Sequence, residues 1–186
     1  LAEKIFKTEW KDCKVQTIVH NFESGQMPLV SEKYDIIVLS HSLNELWKNK
    51  TDAMERRILF LQKLADFLDN DGILLISEPA LLETSRNLIS IRDRLIEKLA
   101  VVSPCLCSCI CPVSDSGTNQ TCHAEINWKP VEPVASIAQL AKLDRQSVKM
   151  TYMAFSKNGM NNSCNAENNY SDTNQVSQYV DELMEK

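Results

Sequence analysis

Apolar and polar residues follow patterns along this chain that predict a succession of strands and helices. A β-branched run at residues 14–22 predicts a strand. The nearly unbroken apolar run at residues 34–39 predicts a parallel strand buried on both faces. Residues 72–80 predict another buried strand, and residues 147–157 alternate in the manner of a late strand.

Apolar residues at helical spacing predict two helices between these strands. The first covers residues 52–69, with Asp52 as its cap, Glu55 in the capping-box position and Gly72 as the stop signal. The second covers residues 84–99. Their apolar stripes should face a sheet. The stripes are Ile58, Leu61, Leu64, Ala65 and Leu68, and Leu88, Ile91, Leu95 and Leu99.

Alternating strands and helices are typical of an α/β sheet with crossover helices, so the predicted fold class is a doubly wound, Rossmann-like α/β sheet. We expect one domain over residues 1–157 that includes a cysteine-rich segment, residues 103–130, and a short helix at residues 134–143. Residues 158–186 are predicted to be a polar tail, with an Asn-rich loop or disordered stretch at residues 158–174 and a short helix at residues 176–184.

Composition narrows the function classes. The 186 residues suffice for one domain with a real core, and the net charge of -5 argues against extensive binding to a polyanion. The net charge does not exclude a local basic face. It would consist of Arg86, Arg92, Arg94 and Lys98. No stretch has the roughly 20 apolar residues needed to cross a bilayer, so we expect a soluble, intracellular protein without a membrane partner.

Polar residues cluster where the predicted strands end, which is where ligands bind in open α/β sheets. The cluster consists of Asn21, His41, Asn44, Glu45 and Glu78. Four of these residues also have a purely structural interpretation. Asn44 and Glu45 suit a helix cap and a first-turn acid. His41 suits a hydrogen-bonded loop residue, and Glu78, before Pro79, suits a strand end.

Five of the seven cysteines lie in "SPCLCSCICPVSDSGTNQTCH", residues 103–123. Thiolates are the ligands that iron–sulfur clusters and zinc prefer, and ligands from separated loops would fix a segment that has no core of its own. Zinc is an alternative because Cys111, Cys122 and His123 are good zinc ligands. Buried incidental thiols and a redox sensor are two further alternatives. Disulfides are disfavoured in a reducing compartment.

The motifs "YDIIVLSHSLNEL" and "GILLISEPA" resemble the fourth and fifth strands of class I S-adenosylmethionine-dependent methyltransferases. Together with "RDRLIEKLAVVSPCLCSCICPVSDSGTNQTCH", the chain resembles the methyltransferase-like proteins that assemble the small ribosomal subunit in mitochondria and bacteria. The resemblance covers residues 34–155. It implies a methyltransferase-like protein acting in small-subunit assembly or translation, on or near ribosomal RNA, in the cytoplasm or, in a eukaryote, the mitochondrion.

The resemblance also implies a [4Fe–4S] cluster held by four cysteines. Cys105, Cys111 and Cys122 match three of the family's ligands. Cys107 and Cys109 depart from the family pattern, and Cys164 is the only downstream cysteine that can supply the fourth ligand. If that ligand is not Cys164, it would lie beyond Lys186.

For S-adenosylmethionine, the resemblance implies that Asn21 and Phe22 lie near the adenine, and that His41, Asn44 and Glu45 lie near the methionine end. The chain has only four glycines and no Gly-rich cofactor turn, so we expect the first strands of the fold to precede Leu1. No residue is predicted to be catalytic, because methyl transfer requires alignment more than an acid or a base. The alternative is a conventional RNA or small-molecule methyltransferase with a structural zinc.

Overall fold

A computed structural model of the chain describes residues 14–28, 32–105, 109–115, 117, 119–143 and 147–158. Within them, one mixed sheet of five strands carries helices on its faces. The strands are β1 (Tyr34–Ser40), β2 (Leu68–Pro79), β3 (Ala100–Ser103), β4 (Ala124–Asn127) and β5 (Ser147–Ser156).

The sheet has the order β1-β2-β5-β3, and β4 pairs with β5. β1 and β2 are parallel, and β5 runs antiparallel to β2, β3 and β4. The α/β class is therefore confirmed and is compatible with a Rossmann-like fold, whereas a uniformly parallel sheet is not found in the described part.

Helices follow the strands in chain order. Within the described ranges, four are α-helices and two single turns are 3-10 helices. They are α1 (Ala53–Ala65), α2 (Leu82–Leu95), α3 (Pro112–Asp115), α4 (Val134–Leu140) and the turns Phe22–Ser24 and Leu43–Glu45. None of the helices in the described ranges is long and apolar enough to cross a membrane.

The core lies where α1 and α2 pack on the sheet. Both predicted apolar stripes are buried in it, which confirms the faces assigned from sequence. Fully buried side chains from both helices and from β2 and β5 meet there. They include Leu61, Leu88, Ile91, Leu95, Leu74, Ile76, Met153 and Phe155.

The strand predicted at residues 14–22 is wrong. Residues 14–20 have no strand pairing, and Phe22–Ser24 form a 3-10 helix. Val19 is 99% exposed and Ile18 is 49% exposed. β-branched residues favour a strand only where neighbouring strands give them a surface to pack on, and the described residues provide none here.

The strand predicted at residues 34–39 is confirmed as β1, but burial on both of its faces is not found. Ile36 is 63% exposed and Val38 is 54% exposed. β1 is at the edge of the described sheet, and these two side chains alternate with the half-buried Ile37 and Leu39, which pack against the core. An unbroken apolar run does not reveal whether both faces are covered.

The predicted end of the first helix is also wrong, because Leu68 already begins β2 and Gly72 lies inside that strand. A Cβ at position 72 would lie only 2.7 Å from the carbonyl oxygen of Tyr34, so glycine permits the close approach of β1 and β2. At the other end, Asp52 makes no side-chain cap. It pairs instead with Arg56 at 2.8 Å.

The second helix is confirmed as α2, although it ends at Leu95, before the predicted end. Three further predicted elements are confirmed in the described residues. The helix at residues 134–143 is confirmed as α4, and the strands at residues 72–80 and 147–157 are confirmed as β2 and β5. The predicted polar tail lies, apart from Asn158, outside the described residues.

Candidate functional site

The cysteine-rich segment lies against α2, and polar side chains of that helix hold its backbone. Arg92 is fully buried, although arginine is among the residues least often buried. Its Nη2 donates to the Sγ of Cys105 at 3.8 Å, and its Nη1 donates to the carbonyl of Cys109 at 2.7 Å. The same Nη1 lies 2.6 Å from Oδ1 of Asp93. A fixed positive charge therefore lies beside the first thiol.

Asp93 holds the middle of the segment. Its Oδ1 accepts from the backbone N–H of Cys111 at 2.9 Å, and its Oδ2 accepts from the Ser114 hydroxyl at 2.7 Å. Burial lowers the pKa of Arg92, but the hydrogen bond to Asp93 and the charge of Cys105 outweigh it, so that pKa is raised overall. Arg92 therefore remains a cation in this buried setting.

The far end of the segment is held about two turns earlier on the same helix, by Ser85 and Arg86. The backbone N–H of Cys122 donates to the Ser85 hydroxyl at 3.0 Å, and that hydroxyl lies 3.0 Å from the Cys122 carbonyl. Arg86 donates to the carbonyls of Val113 at 2.7 Å and Gly117 at 3.0 Å. These bonds connect the backbone of the segment to α2.

Three cysteines of the described chain carry free thiols, and they are the three that the sequence proposed as ligands: Cys105, Cys111 and Cys122. Cys111 is buried and the other two are half-buried. Burial raises the pKa of the Cys122 thiol, the neighbouring Cys105 and Cys111 add to the rise, and Arg92 opposes it. The three thiols are thus close enough to influence one another electrostatically.

The donor set fits a thiolate-bound metal in its chemistry, because three free, partly desolvated thiols lie beside a buried cation. It does not have finished ligand geometry. Within the described ranges, no three Cys, His, Asp or Glu side chains converge as the ligands of one metal ion do. A bound metal would therefore require the three thiols to move closer together.

The other cysteines and the candidate zinc-binding histidine behave differently. Cys109 is disulfide-bonded, which the argument from a reducing compartment did not anticipate. Cys107 and Cys164 lie outside the described residues, so the fourth ligand stays a prediction. His123 is exposed, and its Nδ1 lies 3.1 Å from the hydroxyl of Thr121.

At the strand ends, Glu78 forms a different kind of site. It is 2% exposed, and its Oε1 accepts from three consecutive backbone N–H groups. They belong to Ser42 at 3.2 Å, Leu43 at 2.7 Å and Asn44 at 3.4 Å. Consecutive N–H groups of this kind form an anion-binding concavity, and a carboxylate of the protein itself occupies it here.

Arg57 holds the same loop through its carbonyl groups. It is 5% exposed, and it donates to Asn44 O at 2.7 Å and to Leu46 O at 3.0 Å. Burial lowers the pKa of Arg57, and the negative charge of Glu78 opposes that shift. The Asn44 side chain accepts from Asn87 of α2 at 3.4 Å. The loop that follows β1 is therefore held through its N–H groups by the buried Glu78 carboxylate and through its carbonyl groups by the buried Arg57 guanidinium.

The predicted adenine-side residues pack close to this loop. The side chain of Asn21 caps the turn Phe22–Ser24 by accepting from Glu23 N at 3.0 Å. Phe22 meets Phe60 edge-on at 5.3 Å, and Phe60 meets Trp47 at 5.7 Å. Glu23 accepts from the Trp47 backbone N–H at 2.6 Å. Asn21 and Phe22 are thus brought near the loop, although no strand carries them there.

The remaining rim residues have mainly local partners. His41 is exposed, with a positive φ of 51°, and its backbone N–H donates to Ser77 O at 2.8 Å. Glu45 is the acid of a 3-10 turn and pairs with the exposed Lys48 at 3.1 Å. The interpretation of Glu45 as a first-turn acid is confirmed. Asn44 is not a cap, because Ser42 occupies that position.

The basic face considered on α2 is wrong. Arg92 is buried, Arg86 is engaged by carbonyl groups, and Arg94 pairs with Glu55 at 3.0 Å. Helical spacing places these residues on one helix, but it does not reveal which of them point into the protein. Arg86 and Arg92 serve internal contacts, and Arg94 forms an exposed ion pair.

The sequence profile of one family matches most of the chain. The family is described as mitochondrial small ribosomal subunit Rsm22, and the match covers residues 3–164. The chain belongs to the Rsm22 family. A comparison with curated proteins gives no significant match. Membership confirms the predicted ribosomal small-subunit family and agrees with a mitochondrial setting in a eukaryote. Methyl transfer, S-adenosylmethionine binding, the cluster and contact with ribosomal RNA stay predictions.

Sequence reasoning missed the residues that build both sites. Ser85, Asp93 and Arg57 were not singled out, and Arg92 was assigned to a surface. One signal was available for Arg92, because it directly follows Ile91 and lies one turn after Leu88 in the buried stripe. Nothing in the spacing of Ser85 or Arg57 distinguishes them from exposed helix residues.

Proposed function

We propose that this chain is a methyltransferase-like member of the Rsm22 family that acts in assembly of the small ribosomal subunit, with a metal centre in its cysteine segment. A [4Fe–4S] cluster is the proposed group, and zinc is the alternative. Cys105, Cys111 and Cys122 would be three of its ligands, and Cys164 would be the fourth. When bound, such a centre would fix the segment in one conformation.

One observation carries this proposal. The only free thiols among the described cysteines are the three proposed ligands, and α2 holds all three parts of the segment beside a buried arginine. Arg92 is buried with Asp93 as its anionic partner, and its Nη2 also contacts the Sγ of Cys105. A thiolate at Cys105 would therefore be stabilised by a cation that is already in place.

S-adenosylmethionine is proposed to bind beyond the carboxyl ends of β1 and β2, near Asn21, Phe22, His41, Asn44 and Glu45. Support comes from the parallel pairing of β1 and β2 and from the ordered loop that follows β1. Since Glu78 is already engaged by that loop, it is not available to the cofactor. Binding to ribosomal RNA is proposed from family membership alone.

Metal analysis tests the centre. Full-length protein purified without oxygen should contain about four irons and four sulfides, with broad absorption near 400 nm. The Cys105→Ser and Cys122→Ser variants should lose most of the iron, whereas Cys13→Ser, outside the segment, should retain it. About one zinc without iron would favour the conventional methyltransferase with a structural zinc. Protein without either metal would refute the metal centre.

Two binding experiments test the remainder. Titration calorimetry with S-adenosylmethionine should give saturable binding, and the heat should be lost when S-adenosylhomocysteine fills the site first. Sedimentation with purified small subunits should carry the protein into the small-subunit fraction but not the large-subunit fraction. Protein that stays at the top of the gradient, with or without assembly intermediates present, would count against the ribosomal role.

A further inference from the structure

Three side chains of α2 correspond one to one with the three free cysteines. Ser85 holds the backbone of Cys122, Asp93 holds the backbone N–H of Cys111, and Arg92 contacts the thiol of Cys105. Each anchor comes from the same helix, and each cysteine comes from a different part of the segment. Incidental packing would not require such a correspondence.

The spacing places Ser85 and Arg92 on one stripe of the helix, with Asp93 on the adjoining side. Ser85 and Arg92 are seven residues apart, which is two turns or about 10 Å along the axis. Asp93 is adjacent to Arg92. Both Ser85 and Arg92 are 0% exposed, so their positions are fixed by the core around them. A rigid helix of 14 residues therefore provides all three contacts.

The chemistry of the contacts leaves the sulfur atoms available. Ser85 and Asp93 bind backbone groups of Cys122 and Cys111, so neither competes for the thiol. Arg92 contacts Cys105 Sγ directly, but as a hydrogen-bond donor and a cation, which is the partner that a metal-bound thiolate also accepts. These bonds can therefore persist when the thiols bind a metal.

We propose that α2 is a template that orders the cysteine segment before any metal binds, with Ser85, Arg92 and Asp93 as the positioning residues of the three free cysteines. This inference rests on the proposed metal centre for its purpose. It differs from the behaviour of small zinc domains, in which the metal itself supplies the folding energy and the metal-free segment is unfolded.

Amide hydrogen exchange by NMR on the metal-free full chain tests the order of the segment. The N–H groups of Cys111 and Cys122 should be protected in the wild-type protein. Asp93→Asn, which leaves only a neutral acceptor for the Cys111 N–H, should lower the protection at Cys111, and Ser85→Ala should abolish it at Cys122. Ser90→Ala, at an exposed serine of the same helix, should change neither. Amides that exchange freely in the wild-type protein would overturn the template.

Titration with Co²⁺ alone tests whether this order serves metal binding, since thiolate-to-cobalt charge-transfer bands report the bound sulfurs. Asp93→Asn and Ser85→Ala should weaken Co²⁺ binding about 10- to 100-fold while the bands per bound Co²⁺ persist. Arg92→Met should weaken binding similarly, and Arg92→Lys should restore part of it. Arg94→Met, which removes only an exposed ion pair with Glu55, is the matched control.

Amide exchange and Co²⁺ titration together distinguish a failure of the template from a failure of the metal centre. If wild-type protein binds Co²⁺ through thiolates with the same affinity as every variant, the template is overturned and the metal centre stands. If wild-type protein shows no charge-transfer band, the proposed metal centre fails. Loss of amide protection in the variants would still support α2 as the element that orders the segment.

Discussion

The buried carboxylate of Glu78 is expected to stabilise the loop after β1, and Glu78→Gln tests this with almost no change in shape. The substitution keeps one carbonyl oxygen to accept from Leu43 N, now 2.7 Å from the carboxylate. It removes the negative charge that the N–H groups of Ser42, Leu43 and Asn44 share. It also removes the charge that opposes the desolvation of Arg57.

The magnitude follows from these contacts. Hydrogen bonds to a charged group contribute about 1.5–3 kcal/mol and neutral ones about 0.5–1.5 kcal/mol. The short bond to Leu43 should therefore lose about 1 kcal/mol, and the longer bonds to Ser42 and Asn44 less each. With the reduced compensation of Arg57, we expect a total loss of about 2–3 kcal/mol, below the roughly 3–5 kcal/mol found when a buried charge loses its partner entirely.

Urea unfolding followed by circular dichroism measures this loss, and hydrogen exchange locates it at residues 41–47. Glu45→Gln is the matched control, because it removes a carboxylate from the same loop at a side chain that is 68% exposed. A surface pair of this kind contributes about 0–1 kcal/mol, so the control should remain close to the wild-type protein. Faster exchange should appear in Glu78→Gln only.

The reasoning would be refuted by equal effects of the two variants. If Glu78→Gln and Glu45→Gln differ by less than about 0.5 kcal/mol in the free energy of unfolding, the buried carboxylate does not hold the loop. A large loss in Glu78→Gln without faster exchange at residues 41–47 would place the effect elsewhere in the core.

Three further predictions concern packing and pH. Gly72→Ala should lower the free energy of unfolding by about 1–3 kcal/mol in urea titrations, because its Cβ would lie 2.7 Å from Tyr34 O; an unchanged midpoint would contradict this. Phe155→Ala, at a fully buried site, should lose about 3–5 kcal/mol, whereas Leu140→Ala, at a site 85% exposed, should stay within about 0.5 kcal/mol. The raised pKa of Cys122 means that the folded metal-free chain holds this proton more tightly than the unfolded chain. Its stability should therefore fall as pH rises above about 8.5, and Cys122→Ala should flatten that decline.

Regular elements with a core-facing stripe were predictable from sequence. The stripes of α1 and α2 depend only on apolar spacing, and burial follows because each helix has one apolar face. The errors occurred where contacts with distant parts of the chain decide the local structure. The run at residues 14–22 has the composition of a strand but no pairing partner in the described structure. Gly72 was interpreted as a helix stop, because no local pattern reveals that two strands approach closely there.

The candidate site was likewise only partly predictable from the sequence. The family resemblance, matched residue by residue, selected Cys105, Cys111 and Cys122, which are the free thiols of the described chain. The predictions for the polar residues at the strand ends were less successful. Glu45 and Asn21 have local partners, and Glu78 is bound by the protein's own loop. Sequence identifies a residue type suited to a chemistry, but it does not reveal whether the protein already uses that side chain for itself.

Buried charges hold both the loop after β1 and the cysteine-rich segment. Arg57 and Arg92 are both desolvated, and each donates to backbone carbonyls of an irregular segment. Such segments leave carbonyl groups without a strand or helix ladder, and a buried cation satisfies them only if a nearby anion offsets its charge. Glu78 does this for Arg57, and Asp93 does it for Arg92. Arg92 also donates to the Sγ of Cys105, so a thiolate at that position would be stabilised by the same buried cation that holds the segment.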